Sequence, residues 1–255
     1  MKRLLVTNDD GIGSPGLLAL AEVLTDLGEV IIVAPDRERS AASHAVTLHK
    51  PLRVEPAAVP ISGVRAYITN GTPADCVVLG ALAVIAGKPD LVASGINGGP
   101  NLGDDVTYSG TVAGAREGAI VGAPAFAVSV AGDEVTDYSF AARFSRRLAE
   151  RVLATGLPAD VFLNVNIPDL PPEQIEGAEL TRLGRRRWDE RLVKRQDPRG
   201  RDYYWLVGEP NHDGSASGSD VAAVLAGSIS ITPAHMDLTS HSSIAELAEL
   251  TTDLL

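Results

Sequence analysis

Cysteine is almost missing: Cys76 is the only one in 255 residues, which excludes an intrachain disulfide and any multi-cysteine metal site. It reads as a small buried apolar residue, in a protein of a reducing compartment or one indifferent to redox state. Long apolar runs are missing too. The longest candidate, Val77 to Ala86, falls well short of the roughly 18 residues a membrane helix requires and reads as part of a core helix. The apolar run after Met1-Lys2-Arg3 stops at Asn8-Asp9-Asp10, too early for a secretory signal. These absences predict a cytoplasmic protein with no membrane partner. Positive charge is also in deficit, with 22 Lys and Arg against 33 Asp and Glu and a net charge of -11 at pH 7. Long nucleic acids are bound mainly through Lys and Arg on phosphates, so they are poor partners for this chain. An anionic substrate would have to be captured locally. There is no internal repeat and no low-complexity tract.

What is present is an ordinary globular composition, 45% hydrophobic and 22% charged, with enough length for one large α/β domain or a domain with an extension. Residues 3 to 7 form a short apolar strand. Ser14-Pro15 then supplies an N-cap and a first-turn proline, and Leu17, Leu20, Ala21, Leu24 and Leu27 share one helical face before Gly28. Glu29 to Ala34 follows as a second buried strand, completing the span of one βαβ unit. The alternation continues with a helix near Ala74 to Ala86, a strand at Asp90 to Ser94 and a helix from about Thr111. A strand at Ala125 to Val130, a helix over Ser139 to Ala154 and a strand at Val161 to Asn166 follow. The pattern predicts a three-layer, doubly wound, Rossmann-like α/β fold whose mostly parallel sheet binds ligands at its carboxyl ends.

Near Pro168 the pattern changes, which divides the chain into a catalytic core over residues 1–167 and a C-terminal extension over 168–255. Arg182 to Arg201 holds nine of the 22 Lys and Arg residues and precedes Tyr203-Tyr204-Trp205. Bulky apolar surface in so charged a segment predicts a β-hairpin excursion that contacts a neighbouring subunit, giving a homodimer or homotetramer. The alternative is a solvated hairpin folded on its own domain, its arginines drawing anionic substrate inward. A strand at Ser228 to Thr232 and a helix from Ser243 to Leu254 close the chain.

Three polar clusters follow apolar strands. Asn8-Asp9-Asp10-Gly11 sets two carboxylates side by side past a strand end, where they can reach one ion only from a turn. Confined acids of this kind repel each other unless a cation neutralises them; the plainer reading is an N-cap or Asx-turn. The loop Pro35 to Lys50 carries Arg39, Ser40 and His44, and is either a flexible connection or functional, with His44 either structural or an acid/base candidate. Ser94 to Thr111 is the longest signal. Its glycines at 95, 98, 99, 103 and 110 leave backbone amides open to an oxyanion, and Ser109 and Thr111 stand where a helix begins. The segment matches neither GxxxxGK[ST] nor GxGxxG, and a structural turn is the competing account.

The strings VTNDDGIGSPG, IIVAPDRERSAASHAVT, NGTPADCV and SGINGGPNLGDDVTYSGTVAGAREG occur in that order within about the first 130 residues. Together they resemble the signature blocks of the SurE (stationary-phase survival) nucleotidase family; beyond Pro168 the likeness is looser. The resemblance implies a divalent-metal-dependent 5′/3′-nucleotidase acting on nucleoside monophosphates, with some members also trimming polyphosphate. By position, the family's metal ligands fall on Asp9, Asp10, Ser40 and Asn97, of which Asp9, Asp10 and Asn97 are the expected catalytic residues. Its phosphate-binding residues fall on Asn101, Ser109, Gly110 and Thr111.

Two carboxylates, a hydroxyl and an amide oxygen form an all-oxygen set suited to one Mg²⁺ or Mn²⁺ per subunit. Such an ion would activate water and need no covalent enzyme intermediate. A signalling receiver domain also pairs acids after its first strand, but it requires a phosphoacceptor Asp at another strand end and a Lys further on. Here Ser94-Gly95-Ile96-Asn97 and Val130-Ala131-Gly132 occupy the corresponding ends. A phosphatase with Asp9 as covalent nucleophile would need an acid two residues later, where Gly11 stands.

Overall fold

The computed structural model describes residues 1–189, 191–211 and 216–252. Strand β1 (Arg3–Thr7) leads through a tight turn into helix α1 (Pro15–Leu24), where the Ser14 side chain accepts from the Leu17 N–H and Pro15 opens the first turn. The strands β2 (Glu29–Pro35), β3 (Val54–Ala57) and β4 (Arg65–Thr69) come next, then helix α2 (Pro73–Leu79) under a capping box of Thr72 and Asp75. Strand β5 (Leu91–Gly98), helix α3 (Gly110–Ile120), strand β6 (Ala125–Ala131), helix α4 (Ser139–Thr155) and strand β7 (Val161–Pro168) complete the alternation.

The central sheet has nine strands. Their order is β3-β4-β2-β1-β5-β6-β7, then β13 (Ser228–His235) and β8 (Gly177–Leu180). Neighbours from β4 to β7 run parallel; β3 is antiparallel to β4 and β13 is antiparallel to β7. Alternation along each strand feeds two cores: Leu4, Val6, Ile32, Phe126 and Val128 pack with α1 and α4, while Leu5, Ile31, Val33, Val92 and Phe162 lie on the face of α2 and α3. The fold is therefore the expected three-layer α/β arrangement. Because β1 stands between β2 and β5, the chain reverses its direction of winding there, which opens a crevice at the carboxyl ends of β1 and β5.

Several elements differ from their sequence expectation. The helix over Ala74 to Ala86 is only α2, after which Gly80–Val84 makes a π-helical turn; Gly80 lies so close to Leu5 that a Cβ would come 2.7 Å from its Cδ1. The closing helix is a four-residue α6 (Ser243–Glu246) followed by a 3₁₀ turn at Ala248–Thr251, and Leu254 lies outside the described residues. Its Ile244, Leu247 and Leu250 are exposed, and a short helix without tertiary packing is marginal. Strands β3 and β4 were not anticipated, since Pro56 sits inside β3; the structure puts β3 on the sheet edge, where a missing N–H is tolerated.

The excursion is a hairpin of β10 (Arg191–Gln196) and β11 (Asp202–Val207), flanked by the short pair β9 (Arg187–Trp188) and β12 (Pro210–Asn211). Helix α5 (Asp220–Leu225) then leads into β13. Among the described residues no helix is long and apolar enough to cross a membrane.

Candidate active site

The turn after β1 is built by Asn8, which is fully buried. Its Oδ1 accepts the Gly11 N–H (3.2 Å), and its Nδ2 donates to the Gly11 carbonyl (3.0 Å) and to Ser14 Oγ (2.8 Å). Asn8 thus takes the Asx-turn role that the sequence left open for the aspartates, and Gly11 supplies the positive φ of 97° that the turn needs. Both carboxylates are left for other work. Asp9 is 5% exposed and Asp10 is half-buried beside it.

Asp9 is seated against the start of α3. The Thr111 hydroxyl donates a short hydrogen bond to Asp9 Oδ1, and Ser109 caps the helix by accepting from Val112 N (3.0 Å). Gly110 makes the approach possible: a Cβ there would lie 2.7 Å from Asp9 Cβ. The structure therefore brings Asp9, Gly110 and Thr111 into direct contact, with Asp10 and Ser109 adjoining. Burial raises the Asp9 carboxyl above its ordinary range, only partly offset by the hydrogen bonds from Thr111. Burial also lifts Asp10, with help from the neighbouring charges of Asp9 and Glu38, from 3.8 to about 7.

Asn97 lies on β5, next to β1 in the sheet, three positions beyond the Thr7–Ser94 pair and across an irregularity in the β5–β6 register. Its Nδ2 donates to the Gly99 carbonyl (2.8 Å), leaving Oδ1 without a partner among the described residues. Ser40 is not drawn onto the aspartates. It is exposed, and its hydroxyl donates to Glu38 Oε1 (2.6 Å), although the Arg39 N–H next to it is fixed on the Asp9 carbonyl (2.7 Å). Asn101 is 8% exposed and held from both sides. Its N–H donates to Asn166 Oδ1 (2.8 Å), its Nδ2 to Ser129 Oγ (2.8 Å), and its carbonyl accepts from Asn164 (2.8 Å) and Asn166 (3.0 Å).

Two glycine amides of this segment are not open to an oxyanion. The Gly99 N–H donates to the Val130 carbonyl (2.9 Å) and the Gly103 N–H to Asp220 Oδ2 (2.8 Å). The Gly110 N–H, in the first turn of α3, has no acceptor among the described residues.

The loop Pro35 to Lys50 is ordered by its tethers. The Ser43 N–H and Oγ donate to the carbonyls of Tyr108 (2.9 Å) and Thr107 (2.7 Å), and Thr47 donates through N (3.0 Å) and Oγ1 (2.6 Å) to Asp75. Burial alone would raise Asp75, but the bonds from Thr47 and Thr72 outweigh it and hold the carboxyl low. His44 lies 2.7 Å from Glu117, a buried acid two turns into α3. That pairing makes His44 a fastener of the loop.

Sequence reasoning missed Asn164, Asn166, Glu117 and Asp220. Asn164, Asn166 and Glu117 carried a signal as polar residues within largely apolar periodic runs, which is the informative kind of burial; Asp220, which follows the polar stretch Ser215 to Ser219, carried none. Gly11, Gly13 and Gly16 also have the GxGxxG spacing of a dinucleotide fingerprint, with Asp36 just past β2. Asp9 and Asp10 stand immediately before it and would set negative charge at a pyrophosphate, so the spacing carries no dinucleotide site here.

A divalent cation fits these residues. Two adjacent acids are withdrawn from water, and no Lys, Arg or His among the described residues lies within ion-pair distance of either. No group of three or more His, Cys, Asp or Glu side chains poised for a metal occurs among the described residues, so the remaining donors would be neutral oxygens such as those of Ser40 and Asn97. An all-oxygen set of this kind suits Mg²⁺ or Mn²⁺. A cavity of about 290 Å³ lined by Lys2, Lys88, Asp90 and Val152 opens at the opposite ends of these strands, away from the carboxylates.

A profile of the family described as "Survival protein SurE" matches residues 4–190. The chain is 51% identical over 247 residues to the 5′-nucleotidase SurE of Heliobacterium modesticaldum, covering 97% of this chain and 91% of that one. It is 52% identical over 245 residues to the 5′-nucleotidase SurE of Moorella thermoacetica, covering 96% and 94%. The crystal structure of the SurE protein from Aquifex aeolicus superposes with a TM-score of 0.83 at 44% identity, over 97% of this chain and 99% of that one.

Proposed function

The chain belongs to the SurE family, and from that membership we propose that it is a cytoplasmic phosphomonoesterase releasing phosphate from nucleoside 5′- and 3′-monophosphates, with polyphosphate as a further substrate. The observation that carries the reading is the pair of buried Asp9, seated against the start of α3, and half-buried Asp10 beside it, with no cationic side chain among the described residues on either. One Mg²⁺ or Mn²⁺ per subunit would be held by Asp9, Asp10, Ser40 and Asn97; when bound, it supplies positive charge to the phosphoryl oxygens and acidifies water.

The remaining work falls to the chain. The Gly110 N–H and the positive end of α3 favour an anion beside Asp9. Ser109 and Thr111 act with Gly110 on the phosphate side, Ser109 by fixing the first turn and Thr111 by fixing the rotamer of Asp9. Asn101, with its main chain locked by Asn164 and Asn166, bounds the phosphate on the β6 and β7 side. Catalysis is assigned to residues 1–167. The extension over 168–255 is assigned to assembly into a homodimer or homotetramer through the exposed Tyr203, Tyr204, Trp205 and Leu206 of β11.

The test is phosphate release from 5′- and 3′-mononucleotides and polyphosphate, with and without chelator. The reading expects release that chelation abolishes and Mg²⁺ or Mn²⁺ restores. No release from any mononucleotide with metal present would refute it.

A further inference from the structure

The segment that bounds the phosphate side of the site, Gly103 to Thr111, is fastened from outside by residues far away in the chain. Asp220 is fully buried at the start of α5 with no basic partner among the described residues; its charge is met by three amides. Oδ2 accepts from Gly103 N (2.8 Å), and Oδ1 accepts from Gly184 N (2.7 Å) and Val221 N (2.8 Å). A carboxylate satisfied in this way ties two remote backbones at one point.

A second fastening lies on the next two residues, Asp104 and Asp105. Arg186 is 7% exposed; its N–H donates to Asp104 Oδ2 (3.0 Å) and its guanidinium forms a short ion pair with Asp105 Oδ2. The Trp188 ring lies 5.1 Å from the Arg186 Cζ, and its indole N–H donates to Asp105 Oδ1 (2.7 Å). Both Asp105 oxygens are thus held. The Asp105 carbonyl in turn accepts from Tyr108 N (2.9 Å) and Ser109 N (3.1 Å), the last residues before α3. Displacing Asp105 would therefore displace the helix start that touches Asp9.

We propose that Asp220 and Arg186, with Trp188, are positioning residues for the phosphate-binding segment: the root of the basic excursion forms a buckle that fixes where Ser109, Gly110 and Thr111 stand. The inference rests on the phosphatase reading above. It gives Gly184, Arg186, Trp188 and Asp220 of the extension a positioning role beside the assembly assigned to that extension.

Charge alone and position alone predict opposite results, which makes the buckle testable. Asp220→Asn removes a negative charge near an anion site, so electrostatics would tighten phosphate binding; the buckle predicts that it weakens. Arg186→Lys keeps the charge but loses the planar fork and the stacking on Trp188, so electrostatics predicts no change. Each variant should raise the Kd of inorganic phosphate, measured by calorimetry with saturating Mn²⁺, by about tenfold or more, and KM for a 5′-mononucleotide in step. Affinity for Mn²⁺ alone, which reads Asp9 and Asp10, should stay within about twofold. Trp188→Phe removes one donor from a half-exposed residue, tests the same segment without a buried change, and should weaken phosphate about threefold. Wild-type phosphate affinity in the folded variants, or equal loss of phosphate and Mn²⁺ affinity, would overturn the buckle. Absence of nucleotide hydrolysis by the wild-type protein would instead overturn the phosphatase reading.

Discussion

Asp9 and Asp10 share a turn but not a surrounding, and the difference can be measured. Burial and the charges of Asp9 and Glu38 lift Asp10 from 3.8 to about 7. Between those two values the folded protein without metal holds a proton that the unfolded chain has released, so its stability falls as pH rises through that window. The melting midpoint of chelator-treated protein should decline from about pH 4 to pH 7. Added Mn²⁺ should raise the midpoint more at pH 7 than at pH 5, because binding at low pH must displace the proton. A slope that persists in Asp10→Asn would assign it to other groups. Burial raises Asp9 as well, so it adds to the same slope, but the Thr111 hydroxyl on its Oδ1 partly offsets the rise. Thr111→Val should lower kcat by about tenfold or more, and Thr111→Ser, which keeps the donor, should restore most of it. Equal activity in all three would separate that hydroxyl from the chemistry. The doubled acid and the glycine beside it were visible in the sequence. That Asn8, rather than an aspartate, closes the turn was not, because Asn and Asp are equivalent as turn formers until a partner is seen.

The elements that carry the site were legible to different degrees. β1, α1 and β2 were readable because Ser14-Pro15 and Gly28 punctuate them, and β5 to β7 because buried parallel strands read as apolar runs. The end of β5 was not: its last residues, through Gly98, are glycine-rich and polar and read as loop, yet they pair with β6 and carry Asn97. Asn164 and Asn166 sit at alternate positions of β7, and their partner, the Asn101 main chain, is more than sixty residues away; no local pattern encodes such a contact. The loop Pro35 to Lys50 left His44 open between structure and catalysis, and its 2.7 Å contact with Glu117 favours a fastening role. His44→Ala should therefore destabilise the protein by about 1–3 kcal/mol, since it strips the partner from a buried acid. An acid/base catalyst would lose about a hundredfold or more in kcat on the same change; the fastening role predicts less than tenfold, and a larger kcat loss in folded protein would return His44 to the chemistry.

At the scale of the whole molecule the chain is acidic, yet its excursion is basic and aromatic, with Tyr203, Tyr204, Trp205 and Leu206 between 43% and 64% exposed. Patches of this kind mark contacts. Light scattering at micromolar concentration should give a mass of at least twice 26.6 kDa, and Tyr204→Ser with Trp205→Ser should shift it toward the monomer; a monomeric wild type would refute assembly through this hairpin. The sequence showed the charge and the aromatics of the excursion but not that its root grips the site segment through Arg186 and Asp220. The central claim is that a divalent cation on Asp9 and Asp10 drives phosphomonoester hydrolysis at the crevice between β1 and β5. Its most direct test is steady-state phosphate release from a nucleoside 5′-monophosphate by wild type and Asp9→Asn, with the Mn²⁺ affinity of each measured in parallel. The account predicts that the variant folds, binds Mn²⁺ more weakly and loses about a hundredfold or more in kcat; near-normal turnover by Asp9→Asn, or by chelated wild type, would contradict it.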